Sequence, residues 1–154
     1  MIELGEALYQ DIVEHGLREF PNEACGLVAA KEGTPTRVYA MKNVDASPVS
    51  YRLDPKEQLK VFSEMDDEGL ELAGIYHSHT HSEAYPSETD RRLAFYPDSR
   101  YLILSLSDRE NPVLKAFRPW AERGELCSRH TKNVFKYLAC FYVNKSTRLL
   151  SPRG

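Results

Sequence analysis

Several features that would assign this chain to a large class are missing from it. No apolar run approaches the roughly 20 residues that a bilayer-spanning helix needs, which argues against a membrane protein. The three cysteines, Cys25, Cys127 and Cys140, are odd in number and form no C-x-x-C pair. A disulfide framework is therefore not expected, and a reducing compartment, the cytoplasm, is. The opening Met1-Ile2-Glu3-Leu4-Gly5-Glu6 is acidic and does not read as a signal peptide. There is no internal repeat and no low-complexity segment. Acids are also missing beyond Glu125. The last stretch holds only the basic Arg129, Lys132, Lys136, Lys145, Arg148 and Arg153, against a body richer in Asp and Glu than in Lys and Arg. Such a tail can meet a phosphate or an acidic partner, or else lie on its own acidic body or in solvent. The aromatic and aliphatic residues interleaved with its charges favour the second reading, and no nucleic-acid partner is expected.

What is present suits one globular domain. The 154 residues, 42% hydrophobic and 28% charged, are enough to bury a real core. Leu4, Leu8, Ile12 and Leu17 recur at near-helical spacing, which predicts a helix from Leu4 to Phe20, with Gly16 weakening its last turn and Pro21-Asn22 ending it. The apolar run Ala24 to Ala30 reads as a buried strand, paired in a hairpin with Thr36 to Lys42; Tyr51 to Leu53 reads as another short strand. Asp54 and Pro55 open a second helix, given an apolar face by Leu59, Phe62 and Met65 and ended by Gly69. Leu70 to Tyr76 is strand-like and delivers His77 and His79 at its end. Ser87 to Tyr96 reads as a short helix, because Ser87 and Asp90 have capping-box spacing. Strands follow at Tyr101 to Leu106 and Val113 to Phe117, while Val134 to Val143 is apolar but open between helix and strand. The order implies a mixed α/β or α+β domain. Residues 1–126 form that domain, and 127–154 a basic extension whose structure the sequence leaves open.

The chemistry concentrates in His77-Ser78-His79 and, eleven residues after the second histidine, Asp90. Side chains alternate along a strand, so His77 and His79 project to the same side and can hold one metal together. Asp90, in the first turn of the following helix, can return as a third ligand. Catalytic zinc takes three protein ligands and keeps a fourth place for water. Two neutral imidazoles and one carboxylate leave such a centre at net +1, which acidifies that water.

The H-x-H-x7-S-x-x-D pattern of His77, His79, Ser87 and Asp90 resembles the signature of the JAMM (MPN+) metallopeptidase family. Glu23, in Asn22-Glu23-Ala24-Cys25-Gly26-Leu27, fits the glutamate that the family carries on an early segment. The resemblance implies a cytidine-deaminase-like sheet flanked by helices. It also implies one Zn2+ per chain held by His77, His79 and Asp90, Glu23 as general base, and Ser87 as donor to the tetrahedral oxyanion. The nearer likeness is to bacterial members related to the CysO-cysteine peptidases. It is carried by Glu23-Ala24-Cys25-Gly26, Tyr51-Arg52-Leu53-Asp54 with Glu57-Gln58-Leu59-Lys60-Val61, and Tyr76-His77-Ser78-His79-Thr80 with Glu83-Ala84-Tyr85-Pro86-Ser87. It covers about residues 6–119. It implies hydrolysis after the C-terminal Gly-Gly of a small ubiquitin-like or sulfur-carrier protein, with cysteine released in cysteine biosynthesis, and leaves a homodimer open. Many members have proline after the second histidine, where this chain has Thr80.

Competing readings exist for each residue. Ser87 has a rival duty as a helix N-cap, and Glu23 without the family frame reads as an exposed turn carboxylate. His81 repeats the H-x-H spacing but reads better as a loop histidine beside the cleft. Cys25 in an apolar strand reads as an inert thiol rather than a nucleophile. His15 and His130 read as surface residues. Tyr51, Arg52 and Tyr85 either line the groove for the substrate tail or pack. The rival to an enzyme is a catalytically silent MPN-type scaffold that docks partners; such scaffolds lack ligands, and this chain keeps all of them.

Overall fold

The computed structural model describes residues 4–119, 141–143 and 149–150. The chain runs α1 (Glu6–Glu19), β1 (Cys25–Lys31), β2 (Thr34–Met41), α2 (Pro55–Glu68), β3 (Glu71–His79), α3 (Glu88–Arg92), β4 (Arg100–Ser105), β5 (Val113–Phe117), β6 (Phe141–Val143) and β7 (Leu149–Leu150). Five strands in the order β2-β1-β3-β4-β5 form the body of one sheet, which the two short strands β6 and β7 continue. Every neighbouring pair is antiparallel except β3 with β4, which run parallel, Ile103 lying opposite His77. The mixed α/β expectation holds. Of the stretch Val134 to Val143, residues 141–143 are strand and 134–140 lie outside the described residues, as does His130. Among the described residues no helix is long and apolar enough to cross a membrane.

The sheet is covered on both faces because its strands alternate. On one face Val28, Tyr76, Leu102, Leu104 and Leu114 pack with Tyr9, Ile12 and Val13 of α1. On the other, Leu27, Ile75 and Tyr101 pack with Val61 and Phe62 of α2 and with Tyr96. Each fully buried aliphatic side chain contributes on the order of 1.5–3 kcal/mol by leaving water. Gly16 lies in the last turn of α1, where a Cβ would come within 2.5 Å of Leu104, so its absence lets the helix settle on β4. Asp54 caps α2 by accepting from the Lys56 and Glu57 amides, and Gly69 closes it at φ 66°.

Four expectations are corrected. Leu59 is 73% exposed, because the inward stripe of α2 is Gln58, Val61, Phe62 and Met65, and Leu59 falls outside it. His15 is buried, not at the surface; it shares the inward side of α1 with Ile12, and its Nδ1 lies 2.7 Å from the Tyr76 hydroxyl. Tyr51 to Leu53 forms a single bridge, Asn43 with Leu53, and no strand, because the Asn43 side chain takes up backbone groups that a ladder would use. The helix at Ser87 stops at Arg92, since Pro97 disfavours helical geometry at Tyr96 and the chain turns out before it.

Candidate active site

β3 ends at His79, so His77 and His79 emerge on one side of the sheet, the side that Ile75 and α2 occupy. Both rings are buried, and their Nε2 atoms lie 3.1 Å apart. The Asp90 carboxylate meets them, with Oδ1 3.2 Å from His77 Nε2 and Oδ2 3.3 Å from His79 Nε2. One ring nitrogen or carboxylate oxygen from each of these three residues lies within 4.8 Å of the others, the only such group of three that could hold a metal among the described residues. His79 Nδ1 lies 2.9 Å from the Glu83 carbonyl and donates to it, which orients the ring so that Nε2 faces His77 and Asp90. Such a donor set suits a divalent cation better than it suits itself, since two ring nitrogens at that distance share at most one proton.

The spacing S-x-x-D works here as a capping box. Ser87 Oγ accepts from the Asp90 amide at 3.1 Å, and Asp90 Oδ2 accepts from the Ser87 amide at 2.7 Å. The cap therefore aims the carboxylate while it closes α3. Ser87 Oγ serves in it as acceptor, so its own proton is free to be donated elsewhere. Its capping duty and its expected duty toward substrate are compatible.

Glu23 sits in the tight connection between α1 and β1 and is 6% exposed, which removes the reading of an exposed turn carboxylate. Its backbone is tied at both groups: the amide donates to the Ser47 carbonyl at 2.8 Å, and its carbonyl accepts from Asn43 Nδ2 at 3.0 Å. Burial pushes the carboxyl up to about 8; His79 opposes the rise and Asp90 adds to it. A carboxyl so placed can both take and return a proton near neutral pH. Burial likewise holds His77 below the ordinary histidine range, hence neutral. Burial acts against ionisation of Asp90 too, but hydrogen bonds from His77 and His79 outweigh it and hold the carboxyl far below its usual range. His79 is held above the ordinary range, since Asp90 and the Glu83 carbonyl outweigh its burial. A bound cation would oppose protonation of both Glu23 and His79.

Glu23, His79, Ser87 and Asp90 line one cleft of ≈ 440 Å³ together with Tyr51, Thr80, His81 and Val49. His81 is exposed and stands outside the His77, His79, Asp90 group, as a loop histidine at the cleft. Cys25 is buried, and burial pushes its thiol up to about 12, so it is no nucleophile. Arg52 is paired with Asp45 at 3.0 Å, while the exposed Tyr85 packs edge-on against Phe117, away from the residues lining the cleft.

Three positioning groups were not legible in the sequence. Asn43 is a buried hub: its Nδ2 donates to the Glu23 and Ser50 carbonyls, and its Oδ1 accepts from the Asp45 and Arg52 amides. Only its place in a loop hinted at an Asx turn. Ser78 Oγ accepts from the Ala24 amide at 2.8 Å, fastening the Glu23 connection to the histidine strand. Thr80 donates to the Pro48 carbonyl at 2.9 Å and so ties the 43–53 loop over the cleft. Asn43→Ala is expected to destabilise the fold by roughly 2–4 kcal/mol in urea unfolding, since buried backbone groups lose their partners. An unchanged midpoint would show that water replaces the hub without loss.

Residues 5–120 match the family described as prokaryotic homologs of the JAB domain. The chain is 45% identical over 113 residues to the CysO-cysteine peptidase of Mycobacterium tuberculosis, covering 72% of this chain and 77% of that protein. It is 39% identical over 92 residues to a desampylase of Haloferax volcanii, covering 58% of this chain and 66% of that protein. Among solved structures, a protein of Desulfitobacterium hafniense superposes with a TM-score of 0.69 at 38% identity, over 77% of this chain and 84% of that one. A family match that takes in the Glu23 connection, both histidines and the α3 cap, joined to this identity with a peptidase, makes the chain a member of the prokaryotic JAB-domain family.

Proposed function

We propose that the chain is a zinc-dependent hydrolase that cuts the bond following the C-terminal Gly-Gly of a small ubiquitin-like or sulfur-carrier protein, and that cysteine is the group it releases. The reading is supported most directly by the convergence of His77, His79 and Asp90 on one point in a cleft that Glu23 also lines. The peptidase and desampylase names of its relatives support the substrate class. In this assignment residues 1–126 carry the reaction and 127–154 are an extension to it.

His77, His79 and Asp90 would hold the zinc, which when bound supplies Lewis acidity to the scissile carbonyl and lowers the pKa of water. Glu23 takes the proton of the attacking water as the C–O bond forms. It then returns that proton to the departing amine as the C–N bond breaks. Ser87 donates its free proton to the carbonyl oxygen as charge gathers there. The cleft admits an extended tail, and small residues fit best beside the buried histidines.

A small ubiquitin-like protein extended by Gly-Gly-Cys is expected to lose cysteine, read by mass, while an Ala-Ala-Cys extension is cut at least tenfold more slowly. Equal rates for the two extensions would show that the cleft does not select small residues beside the histidines.

A further inference from the structure

Tyr51 stands apart from the other cleft residues in what its side chain leaves undone. Its ring stacks on His77, with centroids 4.4 Å apart and planes 18° from parallel. That contact needs only an aromatic ring, and phenylalanine would supply it. The hydroxyl has no hydrogen-bond partner among the described residues, although the residue lines the same cleft as Glu23, His79, Ser87 and Asp90. A phenol in a partly water-excluding site normally finds a partner.

The residue is also held in place from both sides. The Ser50 carbonyl accepts from Asn43 Nδ2 at 2.9 Å, and the Arg52 amide donates to Asn43 Oδ1 at 3.1 Å. Tyr51 is thus clamped between two residues fixed to the hub that also fixes Glu23. A phenol carries its proton at neutral pH, so the Tyr51 hydroxyl is able to donate. A rigid neutral donor, set beside the ligand group and without a partner, is what stabilisation of a developing oxyanion requires.

We propose that the Tyr51 hydroxyl donates a hydrogen bond to the carbonyl oxygen of the scissile bond as that oxygen gains charge, making Tyr51 a catalytic residue alongside Glu23; this rests on the hydrolase reading above. Tyr51 keeps its own proton throughout. The proton that moves is the one that Glu23 carries from water to the amine.

The test is Tyr51→Phe, which keeps the ring on His77 and removes the hydroxyl alone. With a small ubiquitin-like protein extended by Gly-Gly-Cys, kcat should fall by about 100-fold while KM stays within about twofold. A tail peptide with a phosphinate in place of the scissile amide should bind the variant more weakly by a similar factor. Zinc content and melting temperature should match the wild type, whereas a merely structural hydroxyl would show its loss in one of them. Wild-type kcat in Tyr51→Phe would overturn the proposal and leave the hydrolase reading intact. So would a kcat loss fully explained by lost zinc. A wild-type protein that cuts no Gly-Gly extension would overturn both.

Discussion

Glu23→Gln is expected to lower kcat on a Gly-Gly-Cys extension by a factor of about 10²–10⁴ while about one zinc per chain is retained. The change removes one ionisable oxygen and almost no volume. The backbone at residue 23 is fixed by Ser47 and Asn43 and does not depend on the carboxyl, so the fold should persist. The proposed ligands His77, His79 and Asp90 are untouched. What is lost is a buried group, held near neutrality by its surroundings, that can take a proton and give it back. Glutamine can accept a hydrogen bond from water but cannot receive its proton. Stopped-flow turnover together with metal analysis reads both halves. Unchanged turnover, or loss of the metal, would remove Glu23 from the role of base.

The second large effect separates the two duties of Asp90. Asp90→Ala removes a ligand oxygen and one of the two capping-box bonds of α3. Zinc content should fall below one-tenth per chain, turnover should become undetectable, and the metal-free protein should lose about 1 kcal/mol with the weakened cap. Asp90→Asn keeps an oxygen to accept from the Ser87 amide, so the metal-free protein should melt above the Ala variant by the share of the cap, while both variants lose the carboxylate charge that faces His77 and His79. A neutral amide is nonetheless a poor zinc ligand, so zinc and turnover should still be lost. At zinc concentrations of 100 times Kd the wild type gains about 2.7 kcal/mol over its metal-free form, and neither variant should show that gain. An Asn variant that binds zinc fully and turns over normally would exclude Asp90 from the ligand set.

The particular elements show where the sequence was readable. Cap and period carried α2: Asp54, Pro55 and Gly69 each impose a local geometry that tertiary packing does not override. The H-x-H pair was readable because alternation along a strand is fixed by the backbone, and the S-x-x-D spacing because a capping box is a contact within one turn. Leu59 and His15 were misplaced because helical period alone gives a stripe and not its phase; the phase is set by the sheet residues each helix meets. The Asn43 hub stayed hidden since its partners Glu23, Ser50 and Arg52 come from segments with no shared periodicity. The burial of Glu23 was hidden for the same reason: the 43–53 loop that ties its backbone is held by side-chain bonds rather than by a strand.

The parallel pairing of β3 with β4 has a bearing on the order of events during folding. His77 and His79 leave the ribosome together, but their third companion sits on a helix of only five residues, too short to persist alone. That helix lies on the crossover that carries the chain from the end of β3 back to the start of β4, so it gains its setting only once the two strands have aligned. On the proposed ligand set, a nascent chain would offer a metal the two imidazoles of β3 first, and capture by all three groups would wait until the sheet has closed around them.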